Sequence, residues 1–297
     1  MALKNITRGE TIYIRVNYIL LSLFAFFILV PLLSVFVTSF VSADEIARRG
    51  EFILWPEKFD LNSYKLVFMS PNIWRGYQNT LFVVVVGTAL SLAVTVLLAY
   101  PLSKRRMRGR TMILGLIFFT MLFSGGTVPT YLTVKAVGLI NKRWALIIPY
   151  LVSAWNLLLM RNFFYTIPDS IEEASYLDGA NQFQILIYVV LPLSLPSIAT
   201  IGMFYGVGYW NAWWPGVIYL NSNEYQPVQN VMRTIVMAAT AAQADFDVVS
   251  FSDDARLPPS QTLKNATIVI STIPILLVYP LVQKYFVKGT LAGSVKG

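Results

Sequence analysis

Residues 79–103 read NTLFVVVVGTALSLAVTVLLAYPLS and run directly into KRRMRGR at residues 104–110. The first stretch is 25 residues without a charged side chain. A helix crossing a bilayer core needs about 20 such residues. The second stretch holds five cations in seven positions. Short basic loops beside apolar spans mark the cytoplasmic side of a membrane. The pair predicts a membrane-spanning helix and its direction.

Five more segments meet the same test: residues 18–39, 112–133, 144–160, 191–219 and 265–283. None contains Asp, Glu, Lys or Arg. Across the 297 residues, hydrophobic side chains reach 56% and charged ones only 13%. Soluble proteins average roughly 45–50% and about 25%. The expected fold is all-α, a polytopic membrane protein with six transmembrane helices. The fifth span holds Pro192, Pro196 and Pro215 and is expected to tilt, kink or run into an interfacial helix. Val41-Ser42-Ala43 resembles a signal-peptide cleavage site, but the apolar run before it is about twice the usual 7–15 residues. The first helix is therefore expected to be retained.

With the 104–110 loop inside, both termini are inside and segments 40–78, 134–143 and 220–264 are outside. Inside segments hold 12 Lys+Arg and 5 Asp+Glu, outside segments 11 and 10. The 104–110 loop therefore carries the assignment.

Cysteine and histidine are absent. That excludes disulfides, thiolate or imidazole metal sites and His-based catalysis, and no metal site is expected. No P-loop or dinucleotide fingerprint occurs. The net charge of +8 fits basic loops at a membrane, with no nucleic-acid partner expected. Spans without ionisable groups argue against a proton-coupled carrier, a charge-lined channel or an intramembrane hydrolase. They leave Na⁺ coupling through broken-helix carbonyls open. Gly87 and Ser91, and Gly202 and Gly206, have the spacing of close helix packing, inside one subunit or at a dimer face.

The segment between spans four and five lies inside yet is acidic: Ile167-Pro168-Asp169-Ser170-Ile171-Glu172-Glu173-Ala174-Ser175-Tyr176-Leu177-Asp178-Gly179-Ala180-Asn181. Ser170 with Glu173 has the form of a capping box, and Asp169 with Glu172 gives the same signal one register earlier. Gly179 stands where a left-handed turn ends a helix. The reading is a two-turn helix, a bend, and a second helix from about Gln182. So short a helix is marginal alone and implies docking on a partner.

Glu173-Ala174-Ser175, Asp178-Gly179-Ala180 and Leu191-Pro192-Leu193 with Pro196 resemble the EAA loop of ABC importer permeases. Ser175 stands where many members have Ala. The chain end, from Gln283 through Gly289 to Gly297, resembles the tail of maltose-type, MalG-like permeases. The stretch from Thr267 to Pro280 and the outer segment 40–68 are similar to the LplC/YtcP-like branch. That branch is associated with complex polysaccharide fragments and includes the alginate importer's second permease.

The resemblance implies a permease subunit in a bacterial cytoplasmic membrane, importing oligosaccharides, acidic polysaccharide fragments among them. The alternatives are an ABC permease for another solute or a Na⁺-coupled carrier. It divides the chain into a cytoplasmic segment 1–17, a permease domain 18–286 with its EAA loop at about 165–192, and a tail 287–297. The implied partners are a second homologous permease, two ATPase subunits, an extracytoplasmic solute-binding protein and membrane lipid. No cofactor is expected on this chain, with ATP and Mg on the ATPase subunits. Glu172, Glu173, Ala174, Ser175, Asp178, Gly179 and Ala180 would carry coupling. Gly289, Gly293 and Gly297 would let the tail approach the ATPase subunits. Sugars need amides and aromatic faces, so Tyr205, Tyr209, Trp210, Asn211, Trp155 and Asn156 are the substrate-pathway candidates. The outer loop 220–264, acidic at Asp245, Asp247, Asp253 and Asp254, is a candidate dock for the binding protein.

Overall fold

The computed structural model describes residues 8–50, 52–246 and 260–294. Among these every regular element is helical. The chain forms two compact units, one from residues 1–70 and 234–271, the other from 71–233 and 272–297.

In the first unit, α1 (Arg8–Thr38) is apolar on all sides, with Ile12, Phe24, Phe27 and Leu32 exposed. Such a surface suits lipid or a partner helix, not water. Two short helices follow, α2 (Ala43–Arg49) and α3 (Asn62–Met69). Val41, Ile46 and Ile53 form a small core against Val37. Buried polar groups pair within this unit: Asn265 donates to Thr38 at 2.6 Å and Ser63 to Thr262 at 3.0 Å.

The second unit is built on α4 (Pro71–Ser103). Beyond the basic loop come α5 (Arg110–Leu122), α6 (Thr127–Ala136) and the 3₁₀ turns Arg143–Leu146 and Ile148–Tyr150. Next are α7 (Ala154–Tyr165), α8 (Asp169–Leu177) and α9 (Gln182–Ile185). A π turn (Leu186–Val190) leads through α10 (Leu191–Leu193) to α11 (Leu195–Trp210) and α12 (Trp213–Tyr219). The unit boundaries fall inside the last two helices, α13 (Val228–Phe246) and α14 (Ser260–Ser294).

α4 packs against α7 and α11 around Val83, Ala99, Met160, Phe164, Ile201 and Tyr205. Gly87 lets α11 approach: a Cβ there would lie 2.9 Å from the Tyr209 ring. Gly202 does the same for Leu92 at 3.1 Å. Both small-residue pairs thus touch packing partners inside this unit.

Among the described residues, three helical stretches are long and apolar enough to cross a membrane alone: Gly9–Thr38, Pro71–Ser103 and Gln261–Val278. The count reaches six if each of three bent helix pairs is one span. The third, fourth and fifth of the expected spans are the bent pairs. The third breaks by 115° between Leu122 and Thr127, where Gly126 takes a φ of 86°. The fourth bends by 51° before Ala154, where the Ser153 hydroxyl accepts from the Asn156 backbone and starts a new helix. The fifth begins earlier, at Gln182, and bends by 84° at Ser194 between Pro192 and Pro196. The two prolines each remove a backbone donor there, which accounts for the expected kink.

Candidate functional site

Four elements of the second unit meet at the end of α4. The Leu102 carbonyl, in the last turn of α4, accepts from Arg110 Nε at 2.9 Å and Arg161 Nε at 3.3 Å. Cations belong there, because the last carbonyls of a helix are unpaired and partially negative. Arg105, Arg110 and Arg161 also surround the Tyr165 ring, with guanidinium carbons 5.1, 5.9 and 5.0 Å from its centroid. The joint ties the 104–110 loop and α5 to the end of α7.

α8 hangs from this joint. Pro168 holds φ at −59° and the helix begins at Asp169, one residue before the expected start. Ser170 is therefore inside the first turn, and neither capping box the sequence offered, Ser170–Glu173 or Asp169–Glu172, forms. One does form at the second helix, where Asn181 and Gln184 exchange side-chain-to-backbone bonds of 3.0 and 2.9 Å. Asp169 and Glu172 still place negative charge in the first turn of α8, favourable against the helix dipole.

The other end of α8 matches its sequence signal. Gly179 takes a φ of 84°. The Gly179 N–H donates to Tyr176 O at 3.0 Å and the Ala180 N–H to Ser175 O at 3.1 Å. This is the 5→2 and 6→1 pair of a Schellman turn. A Cβ at Gly179 would meet nothing within 4 Å, so backbone conformation alone demands glycine.

The two adjacent glutamates part company. Glu172 is buried, 7% exposed, and pairs with Lys104 of the basic loop. Glu173 and Ala174 face outward, and Leu177 is 90% exposed. Ser175 is half-buried and donates to Ile171 O at 2.9 Å. Asp178, Gly179 and half-buried Ala180 line a 360 Å³ groove with Ser175, Gln184 and Tyr188. The structure therefore offers an outward face of small, acidic and apolar groups on a helix anchored from behind.

The pathway candidates are scattered. Tyr205 and Tyr209 are buried inside the α4–α11 contact. The Tyr205 hydroxyl bonds Thr95 at 2.8 Å and accepts from Ser153 N at 3.0 Å. The Tyr209 hydroxyl bonds Ser91 at 2.9 Å and donates to Tyr150 O at 3.4 Å. Trp210 is buried with its ring 6.3 Å from Tyr77, and its Nε1 has no acceptor. Asn211 is exposed and donates back to Val207 O at 3.0 Å. Asn156 is buried, whereas its neighbour Trp155 is exposed. Gly289 and Gly293 fall within α14; Gly297 lies outside the described residues. Asp245 is in α13, and Asp247, Asp253 and Asp254 lie outside the described residues. Lys104 was not singled out by sequence, because five cations in one loop look alike until one meets a buried carboxylate.

No family model matches the chain. Among characterised relatives, it is 44% identical over 280 residues to the polygalacturonan/rhamnogalacturonan transport system permease protein YtcP of Bacillus subtilis strain 168, covering 94% of this chain and 96% of that protein. It is 42% identical over 269 residues to the protein LplC of the same strain, covering 91% and 90%. Among solved structures, it is similar to a chain from a bacterial ABC transporter involved in import of the acidic polysaccharide alginate. That match has a TM-score of 0.83 and 35% identity, covering 95% of this chain and 99% of the other.

Proposed function

The chain belongs to the permease subunits of ABC carbohydrate importers, and on that premise we propose that it imports oligosaccharide fragments of acidic polysaccharides, coupled through α8 to separate ATPase subunits. It is a multi-pass protein of the bacterial inner membrane. The 104–110 loop, α8 and both termini lie in the cytoplasm. A second homologous permease completes the pathway, a solute-binding protein delivers the sugar outside, and two ATPase subunits hold ATP and Mg²⁺. The acidic substrate class is supported by the likeness to a polygalacturonan/rhamnogalacturonan permease and to a chain of an alginate importer.

The observation that carries the coupling role is the split of the glutamate pair. Glu172 is held from behind by Lys104, while Glu173, Ala174 and Leu177 are left facing out. A lever needs both features: a fixed attachment to the transmembrane helices and a free surface for the part that moves it. The small Ala174 admits close approach, and Leu177 supplies apolar area to bury.

The chain has no cysteine, so a single introduced thiol is a unique probe. Leu177→Cys in the assembled importer should cross-link to an ATPase subunit, with a yield that changes between nucleotide-free and ATP-bound states. Purification from the native membrane should recover a companion permease and the ATPase together. Absence of any Leu177→Cys cross-link to an ATPase subunit in such a complex would refute the coupling role.

A further inference from the structure

A second pocket, of 420 Å³, lies beside Phe82 of α4 and is lined by Phe82, Lys142, Arg143, Trp144, Glu224 and Tyr225. That volume falls within the roughly 300–1,000 Å³ of small-molecule sites. Phe82 and Ser103 are 21 residues apart on one helix. At 1.5 Å per residue this is about 31 Å, the thickness of a bilayer core. The pocket thus opens on the membrane face opposite the 104–110 loop.

The pocket is built, not incidental. Buried Asn79 donates to Glu224 O at 2.8 Å and Gln226 O at 3.1 Å, and buried Thr80 accepts from Val228 N at 2.8 Å. These bonds pin the 220–228 loop to α4. Asn141, the one described non-glycine residue with positive φ (58°), pins the facing loop. Its side chain accepts from Asn221 N at 2.6 Å and its N–H donates to Tyr219 O at 2.9 Å. Asparagine tolerates that conformation better than most residues.

Between the loops sits Arg143. Its guanidinium carbon is 5.4 Å from the Phe82 ring centroid and 5.5 Å from that of Tyr225. Trp144 stands edge-on to Phe82 at 6.0 Å. Arg143 Nε is buried and has no acceptor. Among the described residues neither Arg143 nor Lys142 is ion-paired, with Glu224 or any other acid. A buried donor left unpaired is costly, and an acceptor brought by a ligand would satisfy it.

We propose that this pocket binds the carboxylate of a hexuronate residue as the oligosaccharide enters from outside. Arg143 takes the carboxylate as a planar, charge-assisted donor. Lys142, exposed at the rim, draws it in. Trp144 offers an aromatic face to the apolar side of a sugar ring. Glu224 accepts from ring hydroxyls and repels a misplaced second carboxylate. The inference rests on the chain being an oligosaccharide importer and adds where, and by which groups, the acidic sugar is recognised.

The test is uptake of labelled trigalacturonate and, separately, maltotriose into proteoliposomes holding the complete importer with its binding protein. Arg143→Gln should lower trigalacturonate uptake at least tenfold at subsaturating concentration, mainly through apparent KM, and Arg143→Lys, which keeps the charge but not the planar fork, should lower it by a smaller factor. A loss confined to the maximal rate at unchanged apparent KM would assign Arg143 to packing alone and overturn the proposal, as would no loss in either variant. Should Arg143→Gln fail to assemble, exposed Lys142→Gln decides. A threefold or larger fall that disappears at high salt upholds the proposal, and unchanged uptake overturns it. A wild type carrying maltotriose but not trigalacturonate would remove the uronate site and leave the importer. A wild type carrying neither would remove both.

Discussion

Lys104, the first residue beyond α4, donates to the carboxylate of Glu172 in the first turn of α8. Sixty-eight residues of chain separate the two. The contact makes the end of α4 and the start of α8 one mechanical piece. Glu172 is nearly buried and Lys104 retains some solvent contact, so loss of one partner strands a charge at partial depth. Glu172→Gln or Lys104→Met should each destabilise by about 1–3 kcal/mol, read as a lower Tm in detergent. Each should also lower sugar-stimulated ATPase. The charge-swapped pair Lys104→Glu with Glu172→Lys should recover part of both. Full additivity of the two single losses in the swapped protein would show that the pair does not act as a unit.

The outward face of α8 predicts the opposite combination. Leu177 is 90% exposed and so buries little surface against this chain. Leu177→Asp and Glu173→Lys should leave Tm and membrane insertion unchanged and lower uptake at least tenfold in the assembled importer. A matching fall in Tm would place these residues in the fold instead.

Gly179 separates conformation from contact. With φ at 84° and open space around a Cβ, Gly179→Ala meets only the cost of a left-handed residue, about 1–2 kcal/mol. Transport should survive at reduced rate. Gly179→Pro forbids that φ and deletes the N–H that bonds Tyr176 O. It should abolish transport while the spans still insert. Equal rates for both variants, measured as uptake per assembled complex, would refute the turn's role.

What the sequence disclosed followed how local each signal was. A charge-free run of 25 residues needs no partner to be read, so the spans were legible. So was the turn at Gly179, because a left-handed residue is a property of one position. The capping box was misplaced because Pro168 and Ser170 compete for the same helix start, and Asn181–Gln184 carried the signal that was used. The bend at Gly126 lies in Ser124-Gly125-Gly126-Thr127-Val128-Pro129, a turn signal masked by the long apolar runs that flank it. Lys104, Asn79 and Arg143 could not be singled out, since each takes its meaning from residues tens of positions away.

Tyr205 and Tyr209 stand as pathway candidates from the sequence, yet their hydroxyls bond Thr95, Ser153, Ser91 and Tyr150. Tyr205→Phe leaves the Ser153 N–H and the buried Thr95 hydroxyl without that partner, at a cost of about 1–3 kcal/mol. A purely packing role predicts a lower Tm with unchanged apparent KM for the sugar. A raised KM at unchanged Tm would instead place Tyr205 in the substrate path.

Glu45 gives the one pH-dependent expectation. Its side chain is buried in the first unit, which pushes its carboxyl up. The Glu57 backbone N–H, at 3.0 Å from one carboxylate oxygen, and the Arg49 guanidinium, at 2.6 Å, outweigh that and hold it below the ordinary carboxylate range. A folded-state value below the unfolded one means the folded protein favours the charged form. The stabilisation is then complete above the unfolded value, about pH 4.3, and is lost as pH falls through the folded one. Glu45→Gln keeps the shape and removes the charge. It should melt below wild type at pH 7, and the gap should close progressively below about pH 4. A gap in Tm that stays constant from pH 7 to pH 3 would show that Glu45 contributes through shape alone.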